Sequence, residues 1–289
     1  MKSRTPQAFC LIARNEKMEK YSVLMSLYQK ENPAYLRLAI QSMLDQTIKP
    51  DEIVIVEDGP LTKELYAVME EYTSGYPGVF KIVVNEKNLG LGTSLNRGLR
   101  CCRNDLVARM DTDDISKPQR CEAQLKRFAE KPELAIVGAW VDEFDQTPET
   151  ILCTRKVPCD SDAIYAFAKR RSAFNHPAVM YRRSKVLENH GYSDLRRNQD
   201  VDLFGRMLYA GCKCENIGES LLWFRSNSAL AKRRKSWENT KTYIETIRRF
   251  WQMGYADFKD FAIVAVAQTI LFVMPVRMQQ WVYKAFLRK

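Results

Sequence analysis

Two histidines, His176 and His190, and no C-x-x-C pair leave the chain without the usual ligand sets of a structural zinc site. Its eight cysteines include an adjacent pair, Cys101 and Cys102, and a near-adjacent one, Cys212 and Cys214. Such spacings make a poor disulfide framework in a chain of 289 residues, so reduced thiols and a cytoplasmic compartment are expected. No sustained apolar stretch follows the start "MKSRTPQAFCLIARNEKMEK", which argues against a signal peptide and leaves Met18 as a second candidate start. The longest apolar run, Phe261 to Val276, is interrupted by Gln268 and ended by Pro275, short of the ~20 residues of a spanning helix. Internal repeats and low-complexity segments are absent. In "NLGLGTSLNRGL" the dinucleotide fingerprint fails, because Gly90 and Gly92 are followed by Leu95 where a third glycine is needed. No nucleic-acid-binding module is visible, and no nucleic-acid partner is expected.

What is present is ample apolar content, 46%, and a net charge of +10 from 45 Lys and Arg against 35 Asp and Glu. The first supports a real core, and the second predicts attraction to something anionic. Apolar, β-rich runs alternate with helical periodicity over the first 130 residues or so. The expected strands are "YSVLMSLY", "DEIVIVEDGP", "FKIVVN" and "LVARM", and the helices are "YLRLAIQSMLDQT", "TKELYAVMEEYT" with Thr62 as N-cap, "GTSLNRGLRCC" and "PQRCEAQLKRFAEK" starting at Pro118. That alternation predicts an α/β fold with a mainly parallel central sheet flanked by helices. Beyond Leu134 the pattern loosens. "ELAIVGAWVDEF", "PAVMYRR" and "SLLWFR" read as strands, "SDAIYAFAKRR" and "DVDLFGRMLYAG" as helices, and the chain from Ala231 as helical and basic.

Parallel α/β sheets bind ligands beyond the carboxyl ends of their strands. Tyr28, the pair Glu57 and Asp58, and the cluster Asp111, Asp113 and Asp114 all fall at such ends. Three carboxylates in four positions repel one another unless a cation or hydrogen-bond donors compensate, and a divalent ion with oxygen ligands is the natural compensator. The plainer reading is a polar loop in which Asp114 or Ser116 caps the next helix. His176, in "FNHPAVMYRR", is as readily a structural hydrogen-bonder as a ligand. Asp200 and Asp202 suit the first turn of a helix by charge alone.

Together, "YSVLMSLY", "SMLDQTIKPDEIVIVEDGP", "EKNLGLGTSLNRGL", "ARMDTDDISKPQR" and "NQDVDLFGRML" resemble, in that order, family 2 glycosyltransferases of the GT-A fold, and "FNHPAVMYRRSKVLENHGY" sharpens the likeness to bacterial members that build capsule, exopolysaccharide and O-antigen. The resemblance spans about Tyr21 to Arg225. It implies residues 21–230 as one GT-A nucleotide-diphospho-sugar transferase domain, with 1–20 an N-terminal extension and 231–289 a helical basic segment. It also implies inverting transfer of a sugar from a nucleotide-diphosphate donor, with Mn²⁺ or Mg²⁺ as cofactor. By the same resemblance Glu57 and Asp58 face the nucleobase, Asn88 and Gly90 lie in the nucleotide-binding turn, Tyr28 and Arg109 belong to the nucleotide-sugar site, Asp111 serves the ribose and metal, Asp113 holds the metal, and Asp200 is the base. The family usually has Glu-Asp where this chain has Gln199-Asp200.

Arg225 is a candidate fixed cation for the donor, and His176 and Asp114 are candidates for the acceptor or metal side. Acceptors in such pathways are commonly saccharides on a polyprenyl-diphosphate carrier, and aromatic and basic residues beside an apolar stretch suit an anionic membrane surface at the inner face. Two other readings stay open at this point. One is a catalytically silent nucleotide-sugar binder or scaffold, motivated by Gln199. The other is a phosphoryl-transfer enzyme built on "DTDD", which would want Thr or Val where Ile115 stands.

Overall fold

The computed structural model describes residues 18–226, 236–275 and 278. Most of the expected N-terminal extension, the "KRRK" run Lys232 to Lys235, and all of "RMQQWVYKAFLRK" except Met278 lie outside the described residues.

The expected alternation is what folds. Strands β1 (Tyr21–Leu27), β2 (Glu52–Asp58), β3 (Phe80–Asn85) and β4 (Leu106–Arg109) form the parallel array β3-β2-β1-β4. Successive strand residues point to opposite faces, so Val23, Met25, Ile53 and Ile55 enter one core and Leu24, Val54 and Val56 the other. Helices α1 (Pro33–Leu44), α2 (Lys63–Gly75) and α4 (Arg120–Glu130) cover the first core. Helices α3 (Leu91–Cys101), α5 (Ser161–Ala168), α6 (Arg183–Glu188), α7 (Gln199–Tyr209), α8 (Trp237–Gln252) and α9 (Phe258–Val273) cover the second. Both sheet faces are therefore buried, which is why these strands read as continuous apolar runs.

Beyond β4 the sheet continues through β8 (Met180–Arg182), antiparallel to β4 and to β6 (Leu134–Phe144). Next comes β9 (Lys213–Arg225), parallel to β6, and then β5 (Ile115–Ser116), antiparallel to β9, while β7 (Ile151–Arg155) pairs antiparallel with β6. Of the nine strands, β1, β2, β3, β4, β6 and β9 run one way, as the mainly parallel reading required.

Several boundaries move. Helix α4 starts at Arg120, since the carbonyl of Pro118 accepts from the Thr47 amide (2.9 Å) and a turn from Lys117 to Arg120 precedes the helix. Neither Asp114 nor Ser116 caps it: Asp114 accepts from the Arg225 amide at 2.8 Å, and Ser116 Oγ accepts from Gln46 at 3.1 Å. "PAVMYRR" shrinks to a three-residue strand, because Pro177 sits in a short 3-10 turn and Arg183 opens α6. "SDAIYAFAKRR" stops being helical at Ala168. Strands β5 and β7, helix α6 and the polar first half of β9, "KCENIGE", are additions, too short or too polar to show a period. Thr62 does cap α2, its hydroxyl accepting from the Leu65 amide at 3.3 Å.

The basic C-terminal segment is not loosely appended. Ile247 and Phe250 of α8 lie in the same cluster as Leu203, Phe204 and Met207 of α7. Gly205 lets them meet: a Cβ there would stand 2.0 Å from Phe250 Cζ, a ring that is fully buried. Gly205→Ala should therefore destabilise the protein by about 1–3 kcal/mol through overpacking, read as a lower urea midpoint with unchanged slope.

Candidate active site

The carboxyl ends of β1, β2 and β4 bring together the loops that carry the candidate residues. Asp58 closes β2 with its side chain turned onto the loop after β3. It accepts from Leu89 N–H at 2.7 Å, Gly90 N–H at 3.0 Å, Asn88 Nδ2 at 2.9 Å and Asn85 Nδ2 at 3.1 Å. Gly90, with φ +87°, is the N-cap of α3, and Gly59, also at +87°, lies so close to Asn88 that a Cβ would come within 2.7 Å of its amide nitrogen. The sequence-predicted Asp58, Asn88 and Gly90 thus form one unit, in which the carboxylate holds the turn in shape. Asp58→Asn would set an amide NH₂ against these donors. We expect roughly 1–3 kcal/mol lost from stability and a raised KM for donor with a smaller change in kcat. Beside it Glu57 is buried, and burial pushes its carboxyl above the usual range.

Arg109 ends β4 and is almost wholly buried, with Nη2 2.5 Å from Asp111 Oδ1, while its Nε and Nη1 find no protein partner. Burial alone disfavours that cation, yet the Asp111 carboxylate outweighs it and holds the guanidinium firmly charged. Arg120 lies beneath, fully buried, with Nη2 donating to the carbonyls of Arg109 (2.6 Å) and Val179 (3.1 Å). From there the chain turns into the acidic loop, whose Thr112 hydroxyl donates to Glu31 at 2.7 Å. Glu31 N–H in turn donates to the carbonyl of Tyr28 at 3.1 Å, so the loops after β1 and β4 are fastened to each other.

Carboxylate oxygens of Asp111, Asp113 and Asp114 lie within 4.8 Å of one another. Asp114 is fully buried, with one oxygen on the Arg225 amide and the other, Oδ2, without a partner. Burial, then the charges of Asp113 and Asp111, push its carboxyl well above the usual range. Hard oxygen donors converging around an unsatisfied buried one fit a divalent ion such as Mn²⁺ or Mg²⁺. Arg225, at the end of β9, donates from Nε to the Asp113 carbonyl at 2.9 Å and from Nη1 to the Gln146 carbonyl at 3.3 Å, and its guanidinium lies 3.7 Å from the Tyr35 ring centre and 4.6 Å from that of Phe144. Much of its hydrogen-bonding capacity is thereby spent on shaping the acidic loop.

Asp200 sits in the first turn of α7, two residues after the N-cap Asn198, which adopts a left-handed backbone (φ +60°). The Asn198 side chain donates to Thr242 Oγ1 at 2.8 Å and to the Asn239 carbonyl at 3.2 Å, which fastens this turn to α8. Burial raises the Asp200 carboxyl, with Arg109 and Arg155 working against that rise. Gln199 is buried, with Oε1 unpartnered. Asp202 has the plainer role, pairing with Arg206 at 2.9 Å. His176 Nε2 is 2.9 Å from the Tyr192 hydroxyl, and burial, with Arg109 nearby, depresses its basicity well below the ordinary imidazole. His190 is a left-handed residue at the end of α6.

Sequence reasoning missed Glu31, Arg120 and Tyr192. The last two stand within quoted motifs, and a charged side chain inside an apolar helical period was the available signal for Arg120.

The chain matches the family model described as Glycosyl transferase family 2 over residues 22–191. It is 34% identical over 270 residues to an Escherichia coli UDP-Gal:alpha-D-GlcNAc-diphosphoundecaprenol beta-1,3-galactosyltransferase, covering 93% of this chain and 97% of that one. It is 35% identical over 264 residues to the amylovoran biosynthesis glycosyltransferase AmsE of Erwinia amylovora, covering 91% and 98%. Among solved structures, the mannosyltransferase PcManGT from Pyrobaculum calidifontis, in complex with GDP-Man and Mn²⁺, superposes with a TM-score of 0.66 at 12% identity, covering 94% of this chain and 76% of that one. TarS 1–349 of S. aureus, in complex with UDP, gives 0.62 at 15%, covering 91% and 78%. At such identities the structural likeness speaks for the fold alone, and that fold is GT-A. A family match over more than half of the chain, joined to relatives aligned nearly end to end, places this protein in glycosyl transferase family 2.

Proposed function

We propose that this glycosyltransferase moves a sugar from a nucleoside-diphosphate donor to a saccharide hydroxyl in one inverting displacement, with Asp200 as the base. The observation that carries the reading is the junction at Arg109: this buried cation ends the strand leading into the acidic triad and ion-pairs with Asp111 at 2.5 Å. In this reading Tyr28, Glu57, Asp58, Asn88, Gly90, Arg109 and Asp111 line the nucleotide-sugar side, and Arg225 acts there by holding the acidic loop. Asp113 and Asp111 would hold a divalent ion, with the buried Asp114 completing the cluster. Such an ion, when bound, offsets the negative charge that builds on the departing diphosphate. Asp200 takes the proton of the attacking hydroxyl, and a single displacement with a single base inverts the anomeric carbon. His176, held neutral against Tyr192, belongs to the acceptor side.

The name of the E. coli relative supports an acceptor carried on a polyprenyl diphosphate, and that of AmsE supports a place in surface-polysaccharide synthesis. Among the described residues no helix is long and apolar enough to cross a membrane. A peripheral position at the inner face, close to a lipid-carried acceptor, fits both. The test is calorimetric binding of UDP-, GDP- and dTDP-sugars with and without Mn²⁺, followed by turnover on a short-chain lipid-diphosphate saccharide. Metal-dependent binding and turnover of one nucleotide class is expected. Binding without turnover across a broad acceptor panel would favour the silent-binder reading, whose motive is Gln199 standing where the family usually has Glu.

A further inference from the structure

The excess positive charge is not spread along the chain. Residues 231–289 hold 12 Lys and Arg against 4 Asp and Glu, a balance of +8, which leaves only +2 for residues 1–230. In the same segment α9 runs from Phe261 to Val273 without a charged residue. A helix apolar all round belongs in a core or against lipid. Here α8 covers only one side, burying Val264 while Ile263, Val266, Ile270 and Val273, spaced 3, 4 and 3 apart on one helical stripe, stay 42%, 60%, 49% and 71% exposed. Aromatic rings stand at both ends of the hairpin. Trp237 packs on Phe272 at one end, and Trp251 on Phe258 and Phe261 at the other, with Trp237 and Phe258 more than half exposed.

We infer that the outer face of α9, Ile263, Val266, Ile270 and Val273, docks on an anionic lipid bilayer, with the exposed aromatics at the two ends of the hairpin seated at headgroup depth. The choice of lipid rests on the lipid-carried acceptor of the proposed function; the exposed face and the charge asymmetry do not. Sixteen residues make a helix of ~24 Å, too short for a hydrocarbon layer of ~30 Å, so α9 lies along the surface and does not cross it. Within the hairpin, residues 236–275, Lys and Arg balance Asp and Glu at 4 each, so the +8 belongs to the sequence on either side of it, 4 in residues 231–235 and 4 in residues 276–289; a second copy, which would bring like charge to like, is the poorer occupant. An anionic surface gains from the same charge. The hairpin is also the element fastened to Asn198, so docking fixes the α7 turn that carries Asp200 at a set height above the bilayer.

The test is flotation of the full chain with phosphatidylcholine vesicles, with and without phosphatidylglycerol, beside light-scattering measurement of its mass in solution. Binding is expected to require phosphatidylglycerol and to weaken with salt. The combined change Val266→Asp, Ile270→Asp and Val273→Asp should reduce it by about tenfold or more, while Val266→Trp should strengthen it. Equal flotation with neutral vesicles, or wild-type binding by the triple variant, would overturn the inference. So would a dimer that the triple variant converts to a monomer. Donor binding by the same proteins separates the two readings: no flotation with donor binding intact removes the docking face and leaves the transferase standing, whereas flotation without donor binding does the reverse.

Discussion

An Asp200→Asn protein should bind nucleotide sugar like wild type and turn it over roughly 10²–10⁴ times more slowly, the usual loss when a general base is removed. Amide and carboxylate are nearly identical in shape, and because burial already disfavours the ionised Asp200, a neutral amide in the first turn of α7 should leave the fold intact and no less stable at neutral pH. The pH profile makes the test sharper. Burial raises the Asp200 carboxyl, and the base must be ionised to accept a proton. In wild type, kcat/KM should therefore fall on the acid side as pH drops through a value above the ~3.9 of an ordinary aspartate. That limb should be missing from the residual rate of the variant. Wild-type kcat in Asp200→Asn would move the base elsewhere, and His176, neutral and hydrogen-bonded to Tyr192, would be the next residue to change.

Asp113→Asn carries the second large expectation. If the ion contributes several kcal/mol to the charge developing on the leaving diphosphate, activity should fall on the order of 10²–10³-fold. Chelation should bring wild type to a similar level, and Mn²⁺ should restore wild type but not the variant. Stability should show a crossing. Without metal, removing one of three crowded carboxylates relieves repulsion around the buried Asp114, so the variant should melt above wild type. With Mn²⁺ and nucleotide present the order should reverse, since only wild type gains from binding. A variant that melts identically under both conditions would show that Asp113 neither strains the empty loop nor holds the ion.

How much of this was legible beforehand depends on how each residue announces itself. The parallel half of the sheet was readable because β1, β2 and β4 are buried on both faces and separated by helices long enough to show a period. Strand β5, two residues long, has no period to read, and β7 is half exposed. "KCENIGE" looks like a loop because Asn216 spends its amide on the carbonyls of Pro158 and Ala173, a use no local pattern reports. The acidic cluster was visible as an unusual density of like charge. The division of labour behind it was not: Arg120 gripping the Arg109 carbonyl, Glu31 gripping Thr112, and Asp58 clamping a turn some thirty residues away are long-range pairings that only the fold creates. The segment after residue 231 was legible in composition as basic, helical and apolar, whereas its burial of Phe250 against Gly205 was not, because a glycine inside a helix does not name the ring it admits.

The seating of α8 on α7 has a consequence for synthesis. The matched family region ends at residue 191, before the turn that carries Asp200, and the apolar side of that turn's helix is closed by Ile247 and Phe250 from farther down the chain. A nascent protein can complete the parallel half of the sheet, and with it the nucleotide turn held by Asp58, while the ribosome is still making the rest. Its Asn198 has no Thr242 to bind until α8 emerges. The nucleotide turn can therefore form before Arg225 fastens the acidic loop and before the proposed base is seated, so the growing chain gains the parts of its site one after another, in the order in which they lie along the sequence.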